Sequence, residues 1–224
     1  MTETGTTPNL RELNKRRTRE AISHAATRLF IEQGFDRTTI AEVAAAAGVA
    51  KMTVTNHFPR KEDLFFDLHE ELVGRLARAV AERAPGESAL AALRRDCLAG
   101  IDRHDARLGF SGPAFVRTVF DSPALAARLR EVHEQSETAL AEALAEAVHE
   151  RPVGFESRVA AALLAAVDRA VFTEVLRRVL ADEAPAAIAA AVRPSAVQAY
   201  DRLEGALGGF AVREPGGPAG TENP

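Results

Sequence analysis

The stretch Thr39-Ile40-Ala41-Glu42-Val43-Ala44-Ala45-Ala46-Ala47-Gly48-Val49-Ala50-Lys51-Met52-Thr53-Val54-Thr55-Asn56-His57-Phe58-Pro59 decides the fold. Thr39 and Glu42 have the spacing of a capping box: the hydroxyl accepts from the amide three residues on, and the glutamate reaches back to the cap. They predict a short helix over residues 40–47, ended by Gly48. Val49-Ala50 then forms a tight link to a second short helix over residues 51–57. Phe58-Pro59 stops that helix, because the residue before a proline avoids the α region. Two short helices about a glycine turn suggest a helix-turn-helix. Ala44, Ala45 and Ala47 keep the first helix slim, so the second packs close, with Val54 and Phe58 facing inward. Lys51, Thr53, Thr55, Asn56 and His57 then offer short or polar groups suited to base edges and phosphates. An ordinary αα corner has the same spacing, so the rest of the chain must decide.

Upstream, Ile22, Ala25, Ala26, Leu29 and Phe30 make one apolar stripe on a helix over residues 10–33. Gly34 stands where a left-handed residue closes a helix, and Phe35 covers the end. Downstream, a long helix is expected from Lys61 to the break at Pro85-Gly86, with Glu62 and Asp63 in its favourable first turn and Leu64, Phe65, Leu68, Leu72, Leu76 and Val80 on its apolar face. Further helices are expected over residues 88–102, 113–120, 123–150, 155–182 and 194–207, with 185–192 a short helix or turn. Residues 1–9 and 208–224 read as disordered tails. The reading is all-α: a helix-turn-helix domain over 10–60 and a larger helical domain over 61–207.

Composition narrows the function. The 224 residues are 46% hydrophobic, 27% charged and only 5% aromatic, and 45 are alanine, which favours helix over strand. The single cysteine, Cys97, excludes an intrachain disulfide framework and a cysteine-rich zinc site. No apolar run has the length of about 18 residues that a membrane span needs, and no signal core is visible, so a cytoplasmic protein is expected. The net charge of −4 hides an asymmetry: residues 10–61 carry 10 Lys and Arg against 5 Asp and Glu, including all three lysines, while residues 62–224 carry 18 against 26. One end suits a polyanion and the body does not. Catalysis has no visible basis. There is no Gly-rich phosphate loop, nucleophile elbow or metal-spaced histidine pair, and the adjacent pairs His104-Asp105 and His149-Glu150 do not face one site on a helix. No catalytic residue, cofactor or metal is expected.

The residues around the two short helices resemble a known family. Arg19-Glu20-Ala21-Ile22, Ala25-Ala26, Leu29-Phe30, Gly34-Phe35 and Thr38-Thr39-Ile40, continued by Ile40-Ala41-Glu42-Val43-Ala44, Ala47-Gly48-Val49, Thr53, His57-Phe58-Pro59, Lys61-Glu62 and Leu64, resemble the TetR family of transcriptional regulators. The resemblance covers roughly residues 17–66. It implies that Lys51, Met52, Thr53, Thr55, Asn56 and His57 lie on a recognition helix. It also implies that Thr39 and Lys61 bind phosphates at helix starts, and that Arg16, Arg17 and Arg19 approach the backbone or a minor groove. Some positions depart from the family pattern. Ala50 replaces the usual Ser or Thr cap, at a cost of about 1 kcal/mol. Met52 stands where a small residue is usual, and Val54-Thr55 replaces a common Leu-Tyr, which puts that tyrosine's phosphate contact in doubt. The run from Lys51 to Asp63 is similar to an actinobacterial subgroup with acyl-CoA-like or mycofactocin-associated effectors.

The resemblance further implies a homodimer through a four-helix bundle, for which residues 155–182 and 194–207 are the candidates, with Ala160, Leu163, Leu164, Val167, Val171 and Val175 as the apolar face. It also implies an effector pocket among the middle helices. Phe110, Phe115, Phe120 and Phe172 suggest an apolar effector, which His104, Arg117, His133 and Asp168 would orient, with Arg117 the best match for an anionic group. Each of these residues also fits plain core packing or surface. The function implied is a repressor released from a palindromic double-stranded operator by a small apolar or acyl-type effector. The alternative is a DNA-binding regulator without a small ligand, protein-controlled or constitutive, or an activator.

Overall fold

The computed structural model describes residues 10–214, and every regular element among them is helical. The expectations for residues 1–9 and 215–224 lie outside the described residues. In chain order the helices are α1 (Leu10–Gln33), α2 (Ile40–Ala46), α3 (Lys51–His57), α4 (Lys61–Phe65), α5 (His69–Ala81), α6 (Ala89–Asp102), a 3-10 turn (Ala106–Leu108), α7 (Pro113–Asp121), α8 (Pro123–Ala147), α9 (Phe155–Leu180) and α10 (Pro185–Leu207). The chain forms two compact units. Among the described residues, those up to Leu68 with Thr118–Arg128 make the first, and His69–Arg117 with those from Leu129 make the second. The sequence reading ended its first domain at residue 60 and gave it no later segment.

In the first unit the α1 stripe is buried at Ile22, Ala25, Ala26 and Phe30. Gly34, at φ +89°, donates to the carbonyl of Phe30 at 2.9 Å and turns the chain, and the Phe35 ring then stands 4.9 Å from that of Phe30. The capping box at Thr39 is formed in both directions. Gly48, at φ +68°, makes the turn, and Val49 donates to Ala44 across it at 3.0 Å. Val43 and Ala44 of α2, Val54 of α3 and Phe58 are buried, so the two short helices share an apolar contact. Of the three alanines expected to keep α2 slim, Ala44 is buried and Ala45 is exposed. Asp63 in the first turn of α4 forms a buried ion pair with Arg128 of α8, and Ser122 donates to Asp36 at 3.2 Å.

The expected long helix from Lys61 is broken. It stops at Phe65, Phe66 takes φ −100°, ψ 58°, and α5 begins at His69. The break lets Phe65 and Phe66 both be buried, which adjacent positions on a straight helix, about 100° apart, do not favour.

In the second unit α10 packs against α6 and α9. Leu90, Leu93, Ile101, Leu140, Leu144, Leu164, Val175, Ile188 and Tyr200 belong to one core. Gly109 closes the 3-10 turn at φ +92°, where a Cβ would stand 3.1 Å from the carbonyl oxygen of Phe172. Pro194 does not open the last helix: Pro185 takes its first turn, where a missing N–H costs nothing, and Pro194 lies inside α10. Nor does the chain run loose from Gly208. Arg213 donates its backbone N–H to Glu87 at 3.0 Å and accepts from Gly86 at 2.7 Å, and Arg83 reaches the carbonyl of Ala211 at 2.9 Å. Buried Ala211 and these bonds to residues 83–87 hold the segment.

The apolar face expected to pair two copies is largely internal. Ala160, Leu164, Val171 and Val175 are core residues, and only Leu163 of the six is exposed. A different stripe of α9 faces outward: Phe155 is 74% exposed and Val159 and Leu163 are each 40% exposed, with Ala166 and Ala170 continuing it.

Candidate nucleic-acid interface

α3 is seven residues long and two-sided. Val54 is fully buried, Thr53 and His57 are half-buried, and Lys51, Met52, Thr55 and Asn56 are exposed. Lys51 and Thr55 are one turn apart, as are Met52 and Asn56, so the four make one contiguous outward face. Met52, 69% exposed, is its apolar member. The Thr55 hydroxyl donates to the Met52 carbonyl at 3.1 Å, which holds its methyl and oxygen close to the helix. No side chain caps the start of α3 at Ala50, as expected. Burial, with Arg19 and Lys15 nearby, pushes the His57 imidazole below its ordinary pKa and so favours its neutral form.

Thr39 is exposed at the start of α2. Its backbone N–H donates to Glu42 at 2.7 Å, its hydroxyl donates to the same carboxylate at 2.8 Å, and the amide of Glu42 lies 3.2 Å from that hydroxyl. These bonds hold the Glu42 carboxylate below the usual range.

The basic residues divide into two kinds. Arg16 and Arg17 are exposed on α1, and Arg16 pairs with Glu20 at 3.0 Å. An exposed pair of this kind is weak, so both guanidiniums remain available to an anion. Arg19 and Lys61 are turned into the fold. The Lys61 ammonium donates to the carbonyl of Phe35 at 2.5 Å and lies 4.3 Å from the centroid of the Phe35 ring. Burial pushes its pKa down, opposed by Asp36, Glu62 and Glu42. In this geometry Lys61 closes the α1–α2 turn. The Arg19 guanidinium donates to the carbonyls of His57 at 2.9 Å and Asp67 at 3.2 Å. Ser23 and Asp67 escaped the sequence reading, although a serine next to Ile22 in an apolar stripe was a signal of a buried bond. Ser23 is 3% exposed and donates to the Asp67 carboxylate at 2.5 Å.

Residues 22–68, which include both short helices and Lys61, match the family model described as Bacterial regulatory proteins, tetR family. Over this stretch the chain is similar to the tetR family. Among curated relatives, the HTH-type transcriptional regulator TcmR of Streptomyces glaucescens is 32% identical over 143 residues, which are 62% of this chain and 63% of TcmR. The HTH-type transcriptional repressor AcnR of Corynebacterium diphtheriae is 35% identical over 94 residues, 42% of this chain and 46% of AcnR. The matched stretch thus spans less than two thirds of either relative. A solved SmeT–triclosan complex has a similar fold, at a TM-score of 0.55 and 19% identity over 92% of this chain and all of that one. NalD, a secondary repressor of the MexAB-OprM efflux pump of Pseudomonas aeruginosa, aligns at a TM-score of 0.51 and 20% identity over 84% of this chain and 97% of that one.

Among the eight candidate effector residues, His104 and Phe110 lie together, and so do His133 and Phe172. His133 stands edge-on to Phe172, ring centroids 5.1 Å apart, and burial pushes its pKa down. Asp168 is paired with buried Arg75, which also holds Asp96 at 2.5 Å. His104 and Phe110, ring centroids 5.3 Å apart, line a cleft of about 440 Å³ with Pro113, Val179, Asp182 and Ile188. Arg117, the expected anion partner, is exposed and lies 3.3 Å from Asp182. Phe115 is half-buried on α7, and Phe120 is 59% exposed in the first unit. Among the described residues no group of three or more His, Cys, Asp and Glu side chains is arranged to hold a metal ion. No described helix is long and apolar enough to cross a membrane.

Proposed function

We propose that the chain is a cytoplasmic DNA-binding transcriptional regulator, a homodimeric repressor released from a near-palindromic operator by a small apolar or acyl-type effector. The single observation that carries this reading is the division of α3. Val54 and the adjoining Phe58 are buried, while Lys51, Met52, Thr55 and Asn56 stand outward on one face. A short rigid helix of this kind fits the major groove, where its side chains meet base edges. Arg16, Arg17 and the start of α2 at Thr39 supply backbone-positioning contacts. Two copies of α3 require a dimer, and the outward α9 stripe of Phe155, Val159, Leu163, Ala166 and Ala170 supports pairing through α9 and α10. The cleft at His104 and Phe110, with apolar Val179 and Ile188 in its lining, supports an apolar effector.

Selection from a pool of random duplexes with the full chain tests the reading. Enrichment of an inverted repeat supports it, and a pool that stays random overturns it. With an enriched duplex in hand, release of the chain by hydrophobic or acyl compounds tests the effector.

A further inference from the structure

Arg19 sits in the middle of α1, yet its side chain serves two other segments of the same unit. One terminal nitrogen donates to the carbonyl of His57, the last residue of α3, at 2.9 Å. The other donates to the carbonyl of Asp67 at 3.2 Å. The guanidinium lies 4.3 Å from the centroid of the Phe58 ring. One turn further along α1, Ser23 donates to the Asp67 carboxylate at 2.5 Å. Asp67 stands in the break between α4 and α5.

Each contact has a physical reason. The last carbonyls of a helix lack partners within it, and a cation at that end also meets the negative pole of the helix. The planar guanidinium fork offers separate nitrogens to two carbonyls from distant segments while its carbon lies over an aromatic ring, a span that the single nitrogen of an ammonium matches less well. These bonds tie the guanidinium to two backbone segments and fix its orientation within the unit.

We propose that Arg19 is a positioning residue: by joining the last turn of α3 to the α4–α5 break, it sets the angle at which the outward face of α3 meets DNA. Ser23 holds the same break by its other handle, the Asp67 carboxylate. The proposal rests on the DNA-binding reading above and differs from the approach to the DNA backbone or a minor groove that family resemblance implies for this arginine.

The test compares Arg19→Lys and Arg19→Ala with wild type on a duplex enriched by the wild-type chain and on a scrambled duplex, over a range of salt. A positioning role predicts that both variants lose about tenfold on the enriched duplex, the scale of one charge-assisted hydrogen bond. Both should bind the scrambled duplex as wild type does, with an unchanged salt slope. A phosphate contact predicts instead that Arg19→Lys keeps full affinity, while Arg19→Ala weakens binding to both duplexes and lowers the slope by about one; that result overturns the proposal. Binding like wild type by both variants also overturns it. Where Arg19→Ala fails to fold, Arg19→Lys and Ser23→Ala decide: loss of selectivity by both supports the proposal, and full selectivity overturns it. Failure of the wild-type chain to enrich any duplex overturns both this proposal and the DNA-binding reading, whereas wild-type enrichment with unaltered variants overturns this one alone.

Discussion

Two nitrogens of Arg128 converge on one carboxylate oxygen of Asp63, at 2.8 and 3.0 Å, and both side chains are almost wholly buried. Asp63 follows Lys61 by two residues at the start of α4, and Arg128 belongs to the segment Thr118–Arg128 that completes the first unit. A buried pair of this kind adds little over a well-packed apolar pair, but removing one partner strands the other charge.

Arg128→Met is therefore expected to lower stability by about 3–5 kcal/mol. Adding Asp63→Leu to it should recover most of that loss. Urea unfolding of both single variants and the double variant checks the sign: a double variant as unstable as the worse single one contradicts the account.

The capping box gives a second prediction. Thr39→Ala removes the hydroxyl that accepts from the Glu42 amide and should cost about 1 kcal/mol, while Thr39→Ser should cost far less. The Glu42 carboxylate lies below its ordinary value of 4.5 in the folded chain because of its bonds to Thr39. The stability that it contributes is present above that value and is lost as the pH falls through the depressed one. Thr39→Ala should flatten this acid limb, as read from unfolding midpoints at a series of pH values.

His133 titrates with the same sign for another reason. Burial pushes its pKa below the ordinary 6.5, Arg169 and Arg75 push the same way, and Asp168 opposes them. Protonation therefore favours the unfolded chain. Stability from this group is complete above pH 6.5 and declines as the pH falls below it. His133→Gln should remove that decline, and an unchanged pH profile in the variant would count against it.

Local chemistry made much of the first unit legible. The Thr39–Glu42 cap, the turns at Gly34 and Gly48 and the Phe58-Pro59 stop each depend on residues within a few positions, and each is formed. Contacts between distant segments were not legible. Nothing near Leu68 signals that Asp67 is gripped by Ser23 and Arg19, 44 and 48 residues upstream. The apolar pattern beyond Lys61 therefore reads as one continuous helix. For Arg19 and Lys61, a positive charge in the sequence does not reveal that each binds backbone carbonyls of the same unit. On α9, apolar residues lie on more than one side. Helical spacing finds the stripes, but only packing against α10 separates the core stripe from the outward one. Nor does nearness in sequence place the aromatics of the Gly- and Pro-rich break: Phe110 lines a cleft, and Phe120 belongs to the other unit.

The segment after α10 is a working part of the second unit. Ending the chain at Leu207 deletes buried Ala211 and the bonds that Arg213 makes to residues 83, 86 and 87. The truncated chain should melt several degrees below the full chain, since about 1 kcal/mol shifts Tm by about 2–4 °C at this size. An unaltered Tm would mean that these contacts are not held in solution.

The central claim, that the outward face of α3 meets DNA, is tested most directly by photocrosslinking. Met52→p-benzoylphenylalanine places the reactive group on that face, and Phe155→p-benzoylphenylalanine places it on the outward face of α9. With a duplex enriched by the wild-type chain, the account predicts a covalent DNA adduct from position 52 and none from position 155. No adduct from position 52, or an adduct from position 155, would contradict it.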